Sequence, residues 1–243
     1  DISQKSSNLL RLNLILNDLV HSIPNIVKGN TILEPYHKEG GELRKFDYIV
    51  SNPPFKLDFS DYRDDLDSKE NNDRFFAGIP KEPAKKKESM AIYLLFLQHI
   101  MHSLKANGKA AMVVPTGFIT AQSGIDRKVR QKLIEEKMLA GVVSMPSNIF
   151  ATTGTNVSVV FLDRENKGDV VLIDASNLGE TIKEDGNQRT VLTYEEEEKI
   201  IETFNEKEAI DYFSVVVSYD DIATKNYSLS AGQYFKIKIE YLD

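Results

Sequence analysis

The stretch Phe46-Asp47-Tyr48-Ile49-Val50-Ser51-Asn52-Pro53-Pro54-Phe55 decides how this chain is read. Tyr48-Ile49-Val50 has the aromatic and β-branched character of a buried strand, and the two prolines, with no N–H for a ladder, stop that strand at Asn52. A residue before proline is held away from the helical region, so Asn52 and Pro53 are extended and stiff, with carbonyls that the backbone cannot pair. Read for structure alone, Asn-Pro-Pro is a turn that ends a strand. Read for chemistry, it is a pair of acceptors beside an aromatic ring. Such a pair suits an exocyclic NH2 group: one hydrogen goes to the Asn52 side-chain oxygen and one to the Pro53 carbonyl, while the attached ring stacks on Phe55. Adenine N6 is a group of this kind. Its lone pair is delocalised into the ring; acceptors that draw the hydrogens out of plane would localise it and stabilise the charge that develops in a direct methyl transfer.

With 243 residues and 41% apolar content, the chain can fill one large domain or a domain with an appended segment. Cysteine is absent. That excludes disulfides, thiolate zinc sites and the cysteine nucleophile that attack on a cytosine ring requires, and it fits a cytoplasmic protein. No apolar run approaches a membrane span and no secretory leader is recognisable, so no membrane partner is expected. A net charge of -7 argues against broad nonspecific affinity for nucleic acid, so a grip on DNA must come from a local patch or a partner. The dense basic run is Lys81, Lys85, Lys86 and Lys87. It is a solvated loop or a phosphate-facing one, and its place after the Asn-Pro-Pro-Phe turn favours the second.

Working outward, Leu9, Leu12, Ile15, Leu16 and Leu19 predict an amphipathic helix over residues 7–20, and residues 25–33 read as a short strand. Residues 56–89 form a charged stretch with Gly78, Pro80 and Pro83, of a length that marks a functional or mobile loop. Ile92, Leu95, Phe96, Ile100 and Leu104 predict a helix over 90–106 that stops at Asn107-Gly108, followed by a strand over 109–114. Strand, loop, helix, strand is a parallel crossover with covered faces. A helix over 126–137 and strands over 139–145 and 156–162 come next. The link between those strands is too short for a crossover helix, which predicts an antiparallel pair at the sheet edge. A further strand spans residues 170–174. The acidic helix over 194–208, with Glu195, Glu196, Glu197 and Glu198, reads as a solvated face, and His99 and His102 as helix packing, so no metal site is expected. Residues 1–175 are expected to form the catalytic domain, and 176–243 a helical, turn-rich extension.

These residues resemble the M, or modification, subunits of type I restriction-modification systems, which are N6-adenine DNA methyltransferases. The likeness covers most of the chain. Besides Asn52-Pro53-Pro54-Phe55 it rests on Phe96-Leu97-Gln98-His99, on Gly108 with Val113-Val114-Pro115-Thr116-Gly117, on Met145-Pro146-Ser147-Asn148-Ile149-Phe150 leading into Thr153-Gly154-Thr155-Asn156, and on Asn226-Tyr227-Ser228-Leu229 with Gln233-Tyr234. It implies an α/β, Rossmann-like methyltransferase sheet whose last strand is antiparallel, with S-adenosylmethionine over the carboxyl ends of the strands. It also implies a target adenine flipped out of double-stranded DNA.

Under the resemblance Asn52 and Pro53 accept from N6, Pro54 fixes the turn, Phe55 stacks on the base and Phe150 packs beside it. Asp1, Asn30 and Asn52 are the implied cofactor contacts, although the family often places Asp where this chain has Asn30. The family's glycine-rich cofactor loop and its two flanking strands are expected before residue 1, which leaves a gap between the strands ending near Leu33 and Asn52 and makes the chain an amino-terminally truncated form. The implied partners are a specificity (S) subunit and a restriction (R) subunit. Two other readings stand beside this one. Protein glutamine N5-methyltransferases also use Asn-Pro-Pro to hold a planar amide, but typically carry Tyr after the prolines. A noncatalytic fragment could instead act as a scaffold that binds subunits through its carboxyl-terminal segment.

Overall fold

The computed structural model describes residues 2–150, 155–184 and 186–236. Helix α1 (Gln4–Leu16) starts at Ser3, whose side chain accepts from the Ser6 N–H, and a 3-10 turn (Val20–Asn25) follows it. A small hairpin, β1 (Lys38–Glu39) with β2 (Glu42–Leu43), leads into β3 (Phe46–Ser51). After the short helix α2 (Arg63–Leu66) come α3 (Tyr93–Ser103), β4 (Leu104–Pro115), the single turn α4 (Gly117–Thr120), α5 (Gly124–Glu135), β5 (Leu139–Ser144), β6 (Val157–Asp163) and β7 (Val170–Asp174). A hairpin of β8 (Glu180–Glu184) and β9 (Asn187–Val191), helix α6 (Tyr194–Glu206), β10 (Ser214–Val217) and α7 (Tyr219–Thr224) complete the order.

Six strands form the main sheet in the order β10-β7-β5-β6-β4-β3. The crossover expected after Asn52 is present, because β3 and β4 are parallel and α3 lies between them in sequence. The expected antiparallel pairing of β5 and β6 is present as well, but its expected position is wrong. β6 sits inside the sheet, antiparallel to both β4 and β5. Its side chains explain why: Val160 and Leu162 are buried on one face, while Phe161 packs on the other against Phe204 of α6 at 4.5 Å between ring centroids. A strand apolar on both faces belongs in the middle of a covered sheet. β6 is also not the sheet's last strand, since β7 adds in parallel to β5 and β10 pairs antiparallel with β7.

Two other expectations fail at the amino-terminal side. Residues 25–33 are not a strand. The Asn30 side-chain oxygen accepts from the Ile32 and Leu33 amides at 3.1 and 3.2 Å, which folds the segment into a turn in place of a ladder. The apolar stripe predicted to bury the first helix faces solvent: Leu12 is 51% exposed and Leu16 76%, and only Ser7 of α1 is buried. The helix over 90–106 is shorter than expected because Leu104 turns extended, with ψ 139°, and pairs with Phe46.

The core has two faces. On one, α3, α5 and α7 cover β4, β5, β6 and β7 through residues such as Leu97, Val129, Leu133 and Ile222. On the other, Ile200 and Phe204 of α6 pack over Val143, Val171 and Ile173. Val170 through Ile173 are therefore buried on both sides of β7. Residues 176–243, expected as an extension, contribute β10 to this same sheet and Ile222, Leu229 and Ala231 to this same core.

The long segment over 56–89 is packed. Phe59, Leu66, Phe75 and Ile79 make a second core with Ile32, Met90, Ile92 and Leu95. Polar side chains fix its path. Gln98, fully buried, accepts from the Ala77 N–H at 2.8 Å and donates to the Gly78 carbonyl at 3.1 Å. Arg74, 4% exposed, donates to the carbonyls of Thr31 and Ile32 at 2.8 and 2.7 Å and to His99 Nδ1 at 3.0 Å. Burial, with the Arg74 charge beside it, holds His99 neutral and lowers its pKa to about 3.

A second buried cation ties down the carboxyl-terminal segment. Arg130 of α5, fully buried, donates to the carbonyls of Phe118, Ala121 and Tyr227, the last at 2.7 Å. The Leu229 N–H donates to the Ile119 carbonyl at 2.9 Å, so the Asn226-Tyr227-Ser228-Leu229 turn is sewn to α4. Asn226 and Tyr227 both lie in the left-handed region, at φ 54° and 58°, a conformation that persists for such residues only where the surroundings hold it.

Two outcomes are expected. An Arg130→Met substitution leaves three buried carbonyls without a donor and should cost at least about 3 kcal/mol, read as a lowered urea midpoint. For His99 the unfolded chain takes up a proton near pH 6.5 while the folded chain resists until about pH 3, so stability is full above pH 6.5 and falls as pH drops through that window. The slope should approach roughly 1.4 kcal/mol per pH unit, and a His99→Gln variant should flatten it in urea titrations repeated from pH 7 to pH 4.

Candidate active site at the carboxyl end of β3

The Asn-Pro-Pro-Phe turn leaves the sheet where the sequence predicted, directly after Ser51. Pro53 is buried, Asn52 and Pro54 are exposed and Phe55 is half-buried. Among the described residues neither the Asn52 side chain nor the Pro53 carbonyl has a hydrogen-bond partner, so the two acceptors are free for a ligand. Behind them Phe55 meets the edge of Tyr93, with centroids 6.4 Å apart at 77°, and Tyr93 meets Phe118 in the same manner at 6.2 Å and 89°. The Tyr93 hydroxyl donates to the Asp126 carboxylate. Burial, then the charge and hydrogen bond of Asp126, push the Tyr93 pKa up, so the hydroxyl stays protonated as a donor.

The chain of rings links this turn to two of the separated sequence motifs. Tyr93 opens the helix that carries Phe96-Leu97-Gln98-His99. Thr116 donates its N–H to the Asn156 carbonyl at 2.9 Å, and its hydroxyl lies 3.1 Å from that of the fully buried Ser158. Phe118 is held from behind by Arg130, whose guanidinium carbon lies 5.8 Å from the ring centroid. Sequence reading missed Tyr93, Asp126 and Arg130. The signal was present: Asp126, Val129, Arg130, Leu133 and Ile134 fall at helical spacing, which places an acid and a base on an apolar stripe.

Phe150, expected beside the base, is half-buried at the end of the loop after β5 and makes no ring contact with Phe55 or Tyr93 among the described residues. The Asn148 carbonyl in that loop accepts from the Thr190 N–H of β9 at 3.0 Å, so the outer hairpin steadies the approach to Phe150. The basic run is exposed and returns beside the turn, because the Leu57 N–H donates to the Met90 carbonyl at 3.1 Å. Lys81, Lys85 and Lys86 have no partner among the described residues, whereas Lys87 pairs with Glu82 at 2.6 Å, which raises its pKa.

Asp1 lies outside the described residues. Asn30 is half-buried, and its oxygen is taken by two backbone amides, which leaves the amide N–H groups as its free face and the expected acceptor role unfilled. A cleft of about 420 Å³ opens between Thr31 and Ser51, lined also by Ile49, Phe96 and His99.

A sheet with β6 reversed between two parallel strands, carrying a free Asn-Pro acceptor pair at the carboxyl end of β3, defines a Rossmann-like methyltransferase. The N-6 DNA methylase family model matches residues 1–241, and the chain belongs to that family. It is 29% identical to the type I restriction enzyme MpnII methylase subunit of Mycoplasma pneumoniae over 247 residues, which cover 99% of this chain and 43% of that protein. The type I restriction enzyme MjaIX methylase subunit of Methanocaldococcus jannaschii is 29% identical over 99% of this chain and 42% of its own length. Among solved structures, the type I restriction-modification system methyltransferase subunit from Streptococcus thermophilus gives a TM-score of 0.75 at 26% identity, covering 96% of this chain and 47% of that one. The chain thus spans less than half the length of these relatives.

Fold and family imply S-adenosylmethionine as the methyl donor. The described residues do not make a cradle for it alone, given the occupied Asn30 oxygen.

The lysines yield a graded expectation. Replacing Lys85 and Lys86 together by Gln should reduce the slope of log K for duplex binding against log salt by up to roughly 1.8, at about 0.9 per phosphate contact. Lys87→Gln should change it less, because Glu82 already neutralises that charge. Filter binding of the whole protein at several salt concentrations measures both.

Proposed function

We propose that the chain forms the target-base side of a DNA adenine-N6 methyltransferase of a type I restriction-modification system. The observation that carries this reading is the free acceptor pair of Asn52 and Pro53 beside a half-buried Phe55 backed by Tyr93. When bound, S-adenosylmethionine supplies an electrophilic methyl group. The residues of this chain prepare the amine. Asn52 and Pro53 each accept one N6 hydrogen, Pro54 and the burial of Pro53 keep those acceptors from relaxing into the backbone, and Phe55 gives the base a face on which to stack. The acceptors hold the hydrogens out of the ring plane and stabilise the positive charge that grows on N6, and the surplus proton of the methylated amine leaves to water, so no covalent intermediate on the protein is involved.

The substrate is double-stranded DNA with the adenine flipped out of the stack, since N6 in a base pair is already engaged. Lys81, Lys85 and Lys86 supply local phosphate contacts. The negative overall charge favours a partner that supplies most of the DNA grip; in this reading that partner is a specificity (S) subunit that also reads the sequence, with a restriction (R) subunit in the same complex and the whole in the cytoplasm. Phe150 is the second aromatic beside the flipped base. Asp1 and Asn52 are the cofactor contacts in this reading.

Asn52→Ala in the whole protein should lower methyl incorporation into duplex DNA by at least about 100-fold while leaving cofactor affinity by calorimetry within a few-fold. Methylation that survives this substitution would remove the assignment of the pocket.

A further inference from the structure

Tyr93 is 6% exposed, and its position in the core would be filled by Phe without a polar group to desolvate. The hydroxyl that it carries is spent on one partner, Asp126, at the first turn of the neighbouring helix. That bond fixes the axis of the Tyr93 ring between α3 and α5. Two edge-to-face contacts then hang on the ring: Phe118 on the inside, itself held by Arg130, and Phe55 towards the acceptor pair. Edge-to-face geometry is set by the ring quadrupoles, so the tilt of Tyr93 passes directly to Phe55.

We propose that Tyr93 and Asp126 are positioning residues for Phe55, their hydrogen bond setting the angle at which the target base stacks above Asn52 and Pro53. This rests on the reading of the turn as the base pocket. Neither residue touches the base. A bond that merely stapled α3 to α5 would contribute to stability and nothing else, whereas a bond that sets the stacking angle governs how closely N6 approaches the acceptors and hence the rate of transfer.

The test uses the whole protein in its complex, with its recognition duplex and with the same duplex carrying 2-aminopurine at the target adenine, whose fluorescence is quenched by stacking. Tyr93→Phe and Asp126→Ala should each lower kcat about 10-fold, leave KM for the methyl donor within about twofold, and raise the fluorescence of the bound duplex. The double variant should be no slower than either single, because both remove one bond. Asp126→Glu, which keeps a carboxylate, should recover part of the loss. If Tyr93→Phe does not fold, Asp126→Ala carries the same reading, since Asp126 is only half-buried. Wild-type kcat in the single variants, a fall in thermal stability alone, or losses that multiply in the double variant would overturn the proposal. Asn52→Ala run in parallel separates the two claims: if it stays active the pocket itself is wrong, and if it is dead while Tyr93→Phe is fully active only the positioning role is wrong.

Discussion

A guanidinium with no salt bridge among the described residues, sealed in the core, holds this site together. Arg130 spends its donors on the carbonyls of Phe118, Ala121 and Tyr227. Those carbonyls belong to a one-turn helix, the segment after it and a left-handed turn, which are too short to supply every carbonyl with a backbone donor. An unpaired buried carbonyl costs more than a buried cation that satisfies three of them at once. Burial pushes the Arg130 pKa down to about 10, which still leaves it charged at neutral pH and each hydrogen bond charge-assisted. Through Phe118 the same clamp supports Tyr93, and through Tyr93 it supports Phe55.

The device recurs on the other flank of α3. Arg74 and Gln98 hold irregular backbone at residues 31–32 and 77–78 as Arg130 holds 118–121 and 227. The sheet is regular and apolar; the irregular segments beside it are fixed by polar side chains, Gln98 and Arg130 from helices and Arg74 from a turn. This is why the motif residues Gln98 and His99, far from any chemistry, sit beside an apolar stripe. They set the entry and exit of the segment that returns Lys81 through Lys87 to the turn.

What the sequence made legible follows the same division. The strand ending at Asn52, the parallel crossover and the antiparallel β5–β6 pair rest on local signals: β-branched runs, prolines and a link too short for a helix. The interior place of β6 rests on which strand pairs with which. Its alternating faces were readable, but only the finished sheet shows that both are covered. Residues 25–33 had strand composition, and one asparagine side chain overrode it by taking the Ile32 and Leu33 amides. The stripe of α1 had the right period and no partner among the described residues to bury it, since periodicity states which face wants cover and not what covers it. The turn at Asn52, Pro53 and Phe55 was legible because prolines end a strand locally. Tyr93, Asp126 and Arg130 were not, because their importance lies in contacts between helices.

The open edge of β3 bears on the chemistry. Tyr48 and Val50 are 77% and 85% exposed, and β4 is the only strand that pairs with β3 among the described residues. The strand that delivers the acceptors is therefore braced on one side by its ladder and underneath by α3, while its other edge offers unpaired backbone. Since the prolines already deny Asn52 and Pro53 any ladder of their own, pairing along that edge would stiffen residues 46–51 without consuming the two acceptors. The stiffness of the strand and the freedom of its last two oxygens are thus set separately, the first by sheet neighbours and the second by Pro53 and Pro54.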